Sequence, residues 1–180
     1  MPASTSCAPH SREVNEDLFG TLKPKRVYLL VEDPKPPAHD ALAESSLPEA
    51  VRAKLSAVEG SSVLLIRRQG KDSQSHNTRM FFIAVPQSAS LYKFELSAYE
   101  DILAIDLDEV IAGHGAEPVD EPLFAVCTNG RRDTCCATYG VPFYEALAKL
   151  SPDYTWQSSH IGGHRFAGTM FCFPHALMYG

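Results

Sequence analysis

The sequence lacks the features that mark several common classes of protein. No apolar run approaches the roughly 18–20 residues that a membrane-spanning helix needs, and residues 1–19 contain no hydrophobic core of a secretion signal. Lys and Arg total 16 against 22 Asp and Glu, which gives a formal net charge of −6. This charge argues against broad nucleic-acid binding. We therefore expect a cytoplasmic protein that binds neither nucleic acid nor membranes.

The five cysteines include no C-x-x-C pair, the spacing of thioredoxin-type redox motifs. Three of them lie in Cys127-Thr-Asn-Gly-Arg-Arg-Asp-Thr-Cys135-Cys136, and a paired-histidine turn, His160-Ile-Gly-Gly-His164, follows. In a reducing cytosol such cysteines more often bind metal or do redox chemistry than form structural disulfides. Soft thiolates mixed with imidazoles suit zinc, copper and iron–sulfur clusters.

The spacing of these residues bears on the kind of metal centre. Structural zinc knuckles usually place their cysteines two to four residues apart, and C-x8-C is more open than that. Gly162 and Gly163 separate the two histidines, and each glycine costs a helix about 1 kcal/mol relative to alanine. The histidines are thus expected on a tight loop whose backbone closely approaches a bulky object. This favours a cluster over a zinc ion but leaves both open.

Hydrophobic periodicity predicts strands that alternate with helices. Buried strands are predicted at 27–31 and 63–66, a strand pair at 80–85 and 91–96, and helices at 47–58 and 102–112. Strand, helix, strand and strand are then predicted again at 123–127, 134–150, 154–157 and 169–173. The alternation favours an α/β sandwich. The repeated order suggests a structural duplication, although the sequence contains no residue-level repeat.

Composition divides the chain into four predicted segments. Residues 1–22 are polar and are expected to form a flexible, irregular N-terminus. Residues 23–112 form an N-terminal α/β half, residues 113–122 a linker rich in glycine, proline and acidic residues, and residues 123–180 the half with the cysteines and histidines. The first half has no group of metal-ligating residues, so we expect it to support the second.

Three stretches of the chain resemble the sucrase/ferredoxin-like family. They are Val126-Cys-Thr-Asn-Gly-Arg-Arg-Asp-Thr-Cys-Cys-Ala137, Ser159-His-Ile-Gly-Gly-His-Arg-Phe-Ala-Gly168 and Leu177-Met-Tyr-Gly180. The strands near residues 29–32 and 63–68 are similar to the N-terminal half of that family, so the resemblance covers most of residues 27–180. It implies an α/β protein with a thioredoxin-like ferredoxin domain at the C-terminus. A smaller α/β half precedes it, for which a degenerate thioredoxin-like fold is one interpretation.

The same resemblance implies a cofactor and its ligands. It places a [2Fe-2S] cluster on the first and last cysteines of C-x8-C and on both histidines, which are Cys127, Cys136, His160 and His164. Cys135 would then be a small buried side chain or a thiol that exchanges with the ligand. The expected function is electron transfer or redox sensing with redox partner proteins, without stand-alone catalysis. The sucrase part of the family name finds no support, because a glycosidase needs a positioned pair of carboxylates.

The ligand set predicts how such a cluster behaves. Two thiolates cancel the charge of an oxidised cluster, and histidine-ligated clusters of the Rieske kind have potentials of about −150 to +300 mV, against about −400 mV for plant-type ferredoxins. A ligating histidine keeps a proton on its second ring nitrogen, so reduction is expected to be coupled to proton uptake. Two alternatives stay open, a thiol oxidoreductase of thioredoxin-like fold and a zinc-stabilised interaction module.

Overall fold

A computed structural model describes residues 7–68 and 78–180 of the chain. The strands are β1 (Val27–Glu32), β2 (Ser61–Arg67), β3 (Arg79–Val85), β4 (Ser90–Leu96), β5 (Leu123–Cys127), β6 (Thr155–Ser158), β7 (Met170–Phe173) and β8 (Leu177–Tyr179). The α-helices are α1 (Cys7–Glu13), α2 (Glu49–Ser56), α3 (Leu107–Ile111) and α4 (Thr134–Leu150). Short 3₁₀ helices cover Pro86–Ser88, Tyr99–Ala104 and His164–Phe166.

The strands form one 8-stranded sheet in the order β4-β3-β1-β2-β6-β5-β7-β8. In the first half, β1 is parallel to β2 and antiparallel to β3, which pairs with β4. In the second half, β5 is parallel to β6 and antiparallel to β7, which pairs with β8. The halves meet where β2 and β6 pair antiparallel. The predicted α/β class is confirmed, and the repeated order predicted from the sequence is present in the sheet.

The sheet curls so that the two halves share one core. Successive residues of β1 point to opposite faces: Leu29 packs with α2 in an outer core, whereas Tyr28 belongs to the core between the halves. The Tyr28 ring lies 5.1 Å from Phe171 and 5.2 Å from Phe173, both in β7. The result is a layered sandwich, with α2 outside one half of the sheet and α4 outside the other.

The strand β5 shows the same alternation and thereby places the first cysteine. Leu123, Ala125 and Cys127 belong to the core between the halves, whereas Val126 packs in the outer core that includes Tyr144 of α4. Cys127 is the last residue of the strand. It therefore lies where the shared core ends, near the carboxyl ends of β5 and β6.

Three elements differ from the sequence-based expectations. The helix predicted at 102–112 is two short helices, because Ile105 is extended and the Asp106 side chain starts α3 by accepting a hydrogen bond from Glu109 N–H at 3.2 Å. Strand β8 was not predicted. The N-terminus predicted to be irregular contains α1, whose Ala8 is fully buried by tertiary packing; residues 1–6 lie outside the described ranges.

The predicted division into residues 23–112, 113–122 and 123–180 stays a prediction. Within 113–122, Val119 N–H donates to the Leu91 carbonyl at 2.7 Å, so this stretch contacts β4. Among the residues that the structure describes, no helix combines the length and apolar character that a membrane crossing requires.

Candidate metal centre

The end of β5 and the start of α4 bring two cysteines together. Cys127 N–H donates to the Thr169 carbonyl at 2.9 Å, which fixes the end of β5 against the chain leading into β7. Only six residues separate Cys127 from the start of α4, and the last of them, Asp133, is the N-cap of the helix. The Asp133 carboxylate accepts a hydrogen bond from Cys135 N–H at 2.8 Å, as N-cap residues commonly do. Cys136 consequently lies in the first turn, facing the end of β5.

A glycine allows the helix to lie this close to the strand. A Cβ atom at Gly140 would be 1.9 Å from the carbonyl oxygen of Cys127 and 3.7 Å from Thr128 Cα. Any larger residue at position 140 would push α4 away from β5. The distance between the two cysteines thus depends on a residue that is not itself a ligand.

The histidine turn follows β6. Ser159 joins the two halves: its N–H donates to the Leu65 carbonyl at 2.8 Å, and its Oγ accepts from Leu65 N–H at 3.1 Å. Gly162 and Gly163 then have φ values of +89° and +62°, in the left-handed region that favours glycine. The sequence-based expectation of a loop between the histidines, rather than a helix, is confirmed.

Three side chains converge at this point. Nδ1 of His160 lies 3.4 Å from the sulfur of Cys136 and 3.7 Å from that of Cys127. All three donor atoms lie within 4.8 Å of one another. Both cysteines are fully buried, whereas His160 is half-buried. The arrangement offers two soft sulfur donors and one imidazole at the edge of the core.

The fourth predicted ligand lies beside this group. The ring of His164 has its centroid 5.9 Å from that of His160. Its Nε2 lies 3.9 Å from a carboxylate oxygen of Asp133, and its side chain is 45% exposed. Among the described residues, the converging group contains only Cys127, Cys136 and His160. The structure thus brings three of the four predicted ligands together and places the fourth on the solvent side.

The two buried cysteines have opposite pKa shifts. The hydrogen bond with Cys136 lowers the pKa of Cys127 to about 5, and His160 and the backbone N–H groups of Ile161 and Asn129 act in the same direction, against burial. The pKa of Cys136 is raised by the same hydrogen bond and by burial. A coupled pair of this kind holds one negative charge in common when no metal is bound.

The other cysteines lie outside the group. Cys135 is buried, but it packs with Ala8 and Ala167, and it is Cys136 that faces Cys127. Cys172 is half-buried, and burial raises its pKa. Cys7 is exposed.

Two residues that support the site were not predicted from the sequence. Asp133 caps α4 and lies beside His164. Asn129 holds the loop between β5 and α4: its Nδ2 donates to the Ala38 carbonyl at 2.9 Å, and its Oδ1 accepts from Arg132 N–H at 3.2 Å. Asp133 carried a signal, because an aspartate directly before a helix is a common N-cap. The hydrogen-bond partner of Asn129, Ala38, is distant in sequence, so no sequence signal indicated the role of Asn129.

A family model described as Sucrase/ferredoxin-like matches residues 18–180. The chain belongs to the sucrase/ferredoxin-like family. This sucrase/ferredoxin-like match spans both halves of the sheet and all four predicted ligands, and it begins after α1. Comparisons with curated proteins and with solved structures gave no match.

The donor set is compatible with a metal-binding role for this sucrase/ferredoxin-like protein. Cysteine sulfurs and an imidazole nitrogen suit zinc, copper and iron–sulfur centres better than magnesium or calcium, which prefer oxygen ligands. The cysteines are already held close together by backbone contacts, and a deprotonated thiol, the form that binds metal, is favoured at Cys127. The residues present therefore fit a metal centre with sulfur and nitrogen ligands.

Proposed function

We propose that this protein is an electron-transfer or redox-sensing protein that holds a [2Fe-2S] cluster through Cys127, Cys136, His160 and His164. The observation that carries the proposal is the convergence of two buried cysteines and His160 at the carboxyl end of β5, in a chain of the sucrase/ferredoxin-like family. The cluster would supply one-electron chemistry.

The position of His164 supports a cluster over a single ion. A tetrahedral zinc ion binds sulfur at about 2.3 Å and nitrogen at about 2.0–2.1 Å, so its four donors lie within roughly 4 Å of one another. The donor atoms of Cys127, Cys136 and His160 lie within 4.8 Å of one another, whereas His164 is outside that group. A centre with two metal ions has room for a donor outside that group.

The proposed site has a buried side, formed by the cysteines, and a solvent-exposed side, formed by the histidines. Cys127 and Cys136 are fully buried, and the backbone N–H groups of Asn129 and Ile161 stabilise a thiolate at Cys127. The histidine side faces outward, since the His164 side chain is 45% exposed. We infer that electrons are exchanged with redox partner proteins through the histidine side.

His160 also has a ring nitrogen that can hold a proton. His160 turns Nδ1 toward the sulfurs, which leaves Nε2 to carry the remaining ring proton. A site with one more electron holds that proton more tightly. The proposed function therefore includes proton uptake on reduction, and a cytoplasmic location in which thiols stay reduced.

The test is anaerobic loading of the purified metal-free chain with iron and sulfide, followed by a visible spectrum and metal analysis. The proposal predicts a reddish-brown protein with about two iron and two sulfide per chain. A protein that stays colourless with iron and sulfide, but takes up one zinc ion when zinc is added instead, would identify a zinc-stabilised module. A colourless protein that binds no metal but reduces disulfides would identify a thiol oxidoreductase.

A further inference from the structure

We propose that α1 stabilises the candidate metal centre, and that its residue Arg12 positions the histidine turn, residues 160–167. The inference rests on the proposed function for its consequence, but not for the contacts themselves. Helix α1 covers Cys7–Glu13, whereas the family match begins at residue 18. The family model therefore does not include α1, and the contacts of α1 are described from the structure of this chain alone.

Arg12 joins the two elements that carry three of the four proposed ligands. Its Nη2 donates a hydrogen bond to the carbonyl of Ala167, directly after the 3₁₀ helix that begins at His164. The same guanidinium lies 4.4 Å from the ring centroid of Tyr139, which is in α4. A cation over the face of an aromatic ring is attracted by the negative charge density of that face. One side chain thus ties the end of the histidine turn to the helix that contains Cys136.

A second polar connection runs beside the first. Glu16 forms an ion pair with Arg165, with Oε1 and Nε 2.7 Å apart. The other oxygen of Glu16 accepts a hydrogen bond from Ser11 at 2.8 Å, and Ser11 is 5% exposed. Because Arg165 directly follows His164, both polar connections end on the same short turn.

Apolar packing completes the contact. Ala8 and Ala167 are fully buried and Cys135 is 3% exposed, and the three form one small cluster with Tyr139 packed against it. Helix α1 therefore covers the cysteine that adjoins Cys136. When α1 separates from the turn, Cys135 becomes accessible to solvent, and this provides a readout that needs no metal.

The first measurement uses metal-free protein with Cys7→Ser, which removes the exposed thiol of α1. The rate at which iodoacetamide alkylates Cys135, located by tandem mass spectrometry, reports how often α1 opens. Arg12→Ala should raise this rate about tenfold, which corresponds to about 1.4 kcal/mol in the opening equilibrium. Arg12→Lys keeps a donor for the Ala167 carbonyl and should restore part of the protection.

Arg52→Ala is the matched control. Arg52 is also an arginine that donates to a main-chain carbonyl, that of Ala43 at 2.6 Å, but it lies on α2 in the first half. Its loss should leave the alkylation of Cys135 unchanged. Equal rates in wild type and Arg12→Ala, or an equal increase in Arg52→Ala, would overturn the proposal.

The second measurement asks whether the contact reaches the metal centre. In iron–sulfur-loaded, reduced protein, Arg12→Ala should shift the EPR g values, Arg12→Lys should shift them less, and Arg52→Ala should match wild type. Identical spectra in all four proteins would overturn the positioning role. Failure of wild type to load iron and sulfide would refute the proposed function, and the alkylation rates would still show whether α1 is held by Arg12.

Discussion

The two halves of the sheet have the same strand order, and among the described residues the candidate metal centre lies in the second half. The strand register makes their positions comparable. Glu32 of β1 pairs with Ile66 of β2, and Cys127 of β5 pairs with Ser158 of β6. Ile66 and Ser158 in turn pair with each other where the halves meet. Glu32 in the first half therefore corresponds to Cys127 in the second. The equivalent position therefore carries a carboxylate side chain in the first half and a thiol side chain in the second.

The segments after these two positions also differ. In the first half, residues 33–48 separate β1 from α2, whereas residues 128–133 separate β5 from α4. The buried carboxylates at the end of β1 take part in structural hydrogen bonds: Glu32 accepts from Met80 N–H, and Asp33 accepts from Lys35 N–H and from both N–H and Oγ of Ser46.

This difference teaches what the metal centre requires beyond the fold. The end of the first strand is a position that both halves provide. A short connection, an N-cap at Asp133 and a close approach at Gly140 bring the start of the helix to that position only in the second half. The first half uses the same place to stabilise its own backbone.

The largest expected effect is the loss of the metal. Cys127→Ala or Cys136→Ala should abolish nearly all iron loading, because each removes a buried sulfur donor. Glu32→Gln, at the corresponding position of the first half, and Cys172→Ala should load as wild type does. Iron per chain after reconstitution is the measurement. Full loading of Cys136→Ala together with loss in Cys135→Ala would mean that the neighbouring cysteine is the ligand.

The next effect concerns the packing that brings helix and strand together. Gly140→Ala should destabilise the metal-free protein by about 3 kcal/mol or more, since the new Cβ would overlap the Cys127 carbonyl. In the first half, Gly60→Ala adds a Cβ 3.3 Å from Arg26 Cβ at a φ of +70° and should cost only about 1 kcal/mol. Urea unfolding measures both. Similar losses in the two variants would contradict the close approach at Gly140.

Elements that depend on neighbouring residues could be predicted from the sequence. The helix predicted at 134–150 has those bounds, and the strand predicted at 123–127 is β5, because the periodicity of apolar residues is a local signal. The loop at Gly162 and Gly163 could likewise be predicted, because the backbone conformation that glycine favours is a local property of the sequence.

Contacts between distant segments could not be predicted in this way. Arg12 meets the Ala167 carbonyl, and Asn129 meets the Ala38 carbonyl, across long stretches of chain. Neither a propensity nor a spacing in the sequence reports such a partner, and helix α1 is too short for periodicity to indicate it. The ligand set came from the family resemblance; the structure brings three of its members together and places the fourth beside them, and the ligand assignment stays a prediction.

A smaller effect distinguishes histidine from cysteine ligation. His160→Cys or His164→Cys should retain a cluster but lower its potential by on the order of 100 mV or more, because a thiolate adds negative charge to the site. The control is His175→Cys, since His175 is an exposed residue outside the turn. Voltammetry provides the potentials. Unchanged or higher potentials in both turn variants would remove the histidines from the ligand set.

The smallest expected effect is the pH dependence of the potential. Where reduction takes up one proton per electron, the potential should fall by about 59 mV per pH unit at 25 °C. The sign follows because raising the pH opposes proton uptake and so disfavours the reduced state. Midpoint potentials from about pH 6 to pH 10 measure the slope. A flat profile with the cluster intact would contradict a solvent-accessible proton on His160 or His164.

The central claim, a cluster held by two cysteines and two histidines, is tested most directly by counting its nitrogen ligands. Pulsed EPR of the reduced, iron–sulfur-loaded protein, labelled with ¹⁵N only in histidine, detects nitrogen nuclei bound to the cluster. We predict two strongly coupled histidine nitrogens in wild type and one in His164→Cys. A spectrum without strongly coupled histidine nitrogen, from protein that contains the cluster, would contradict the account.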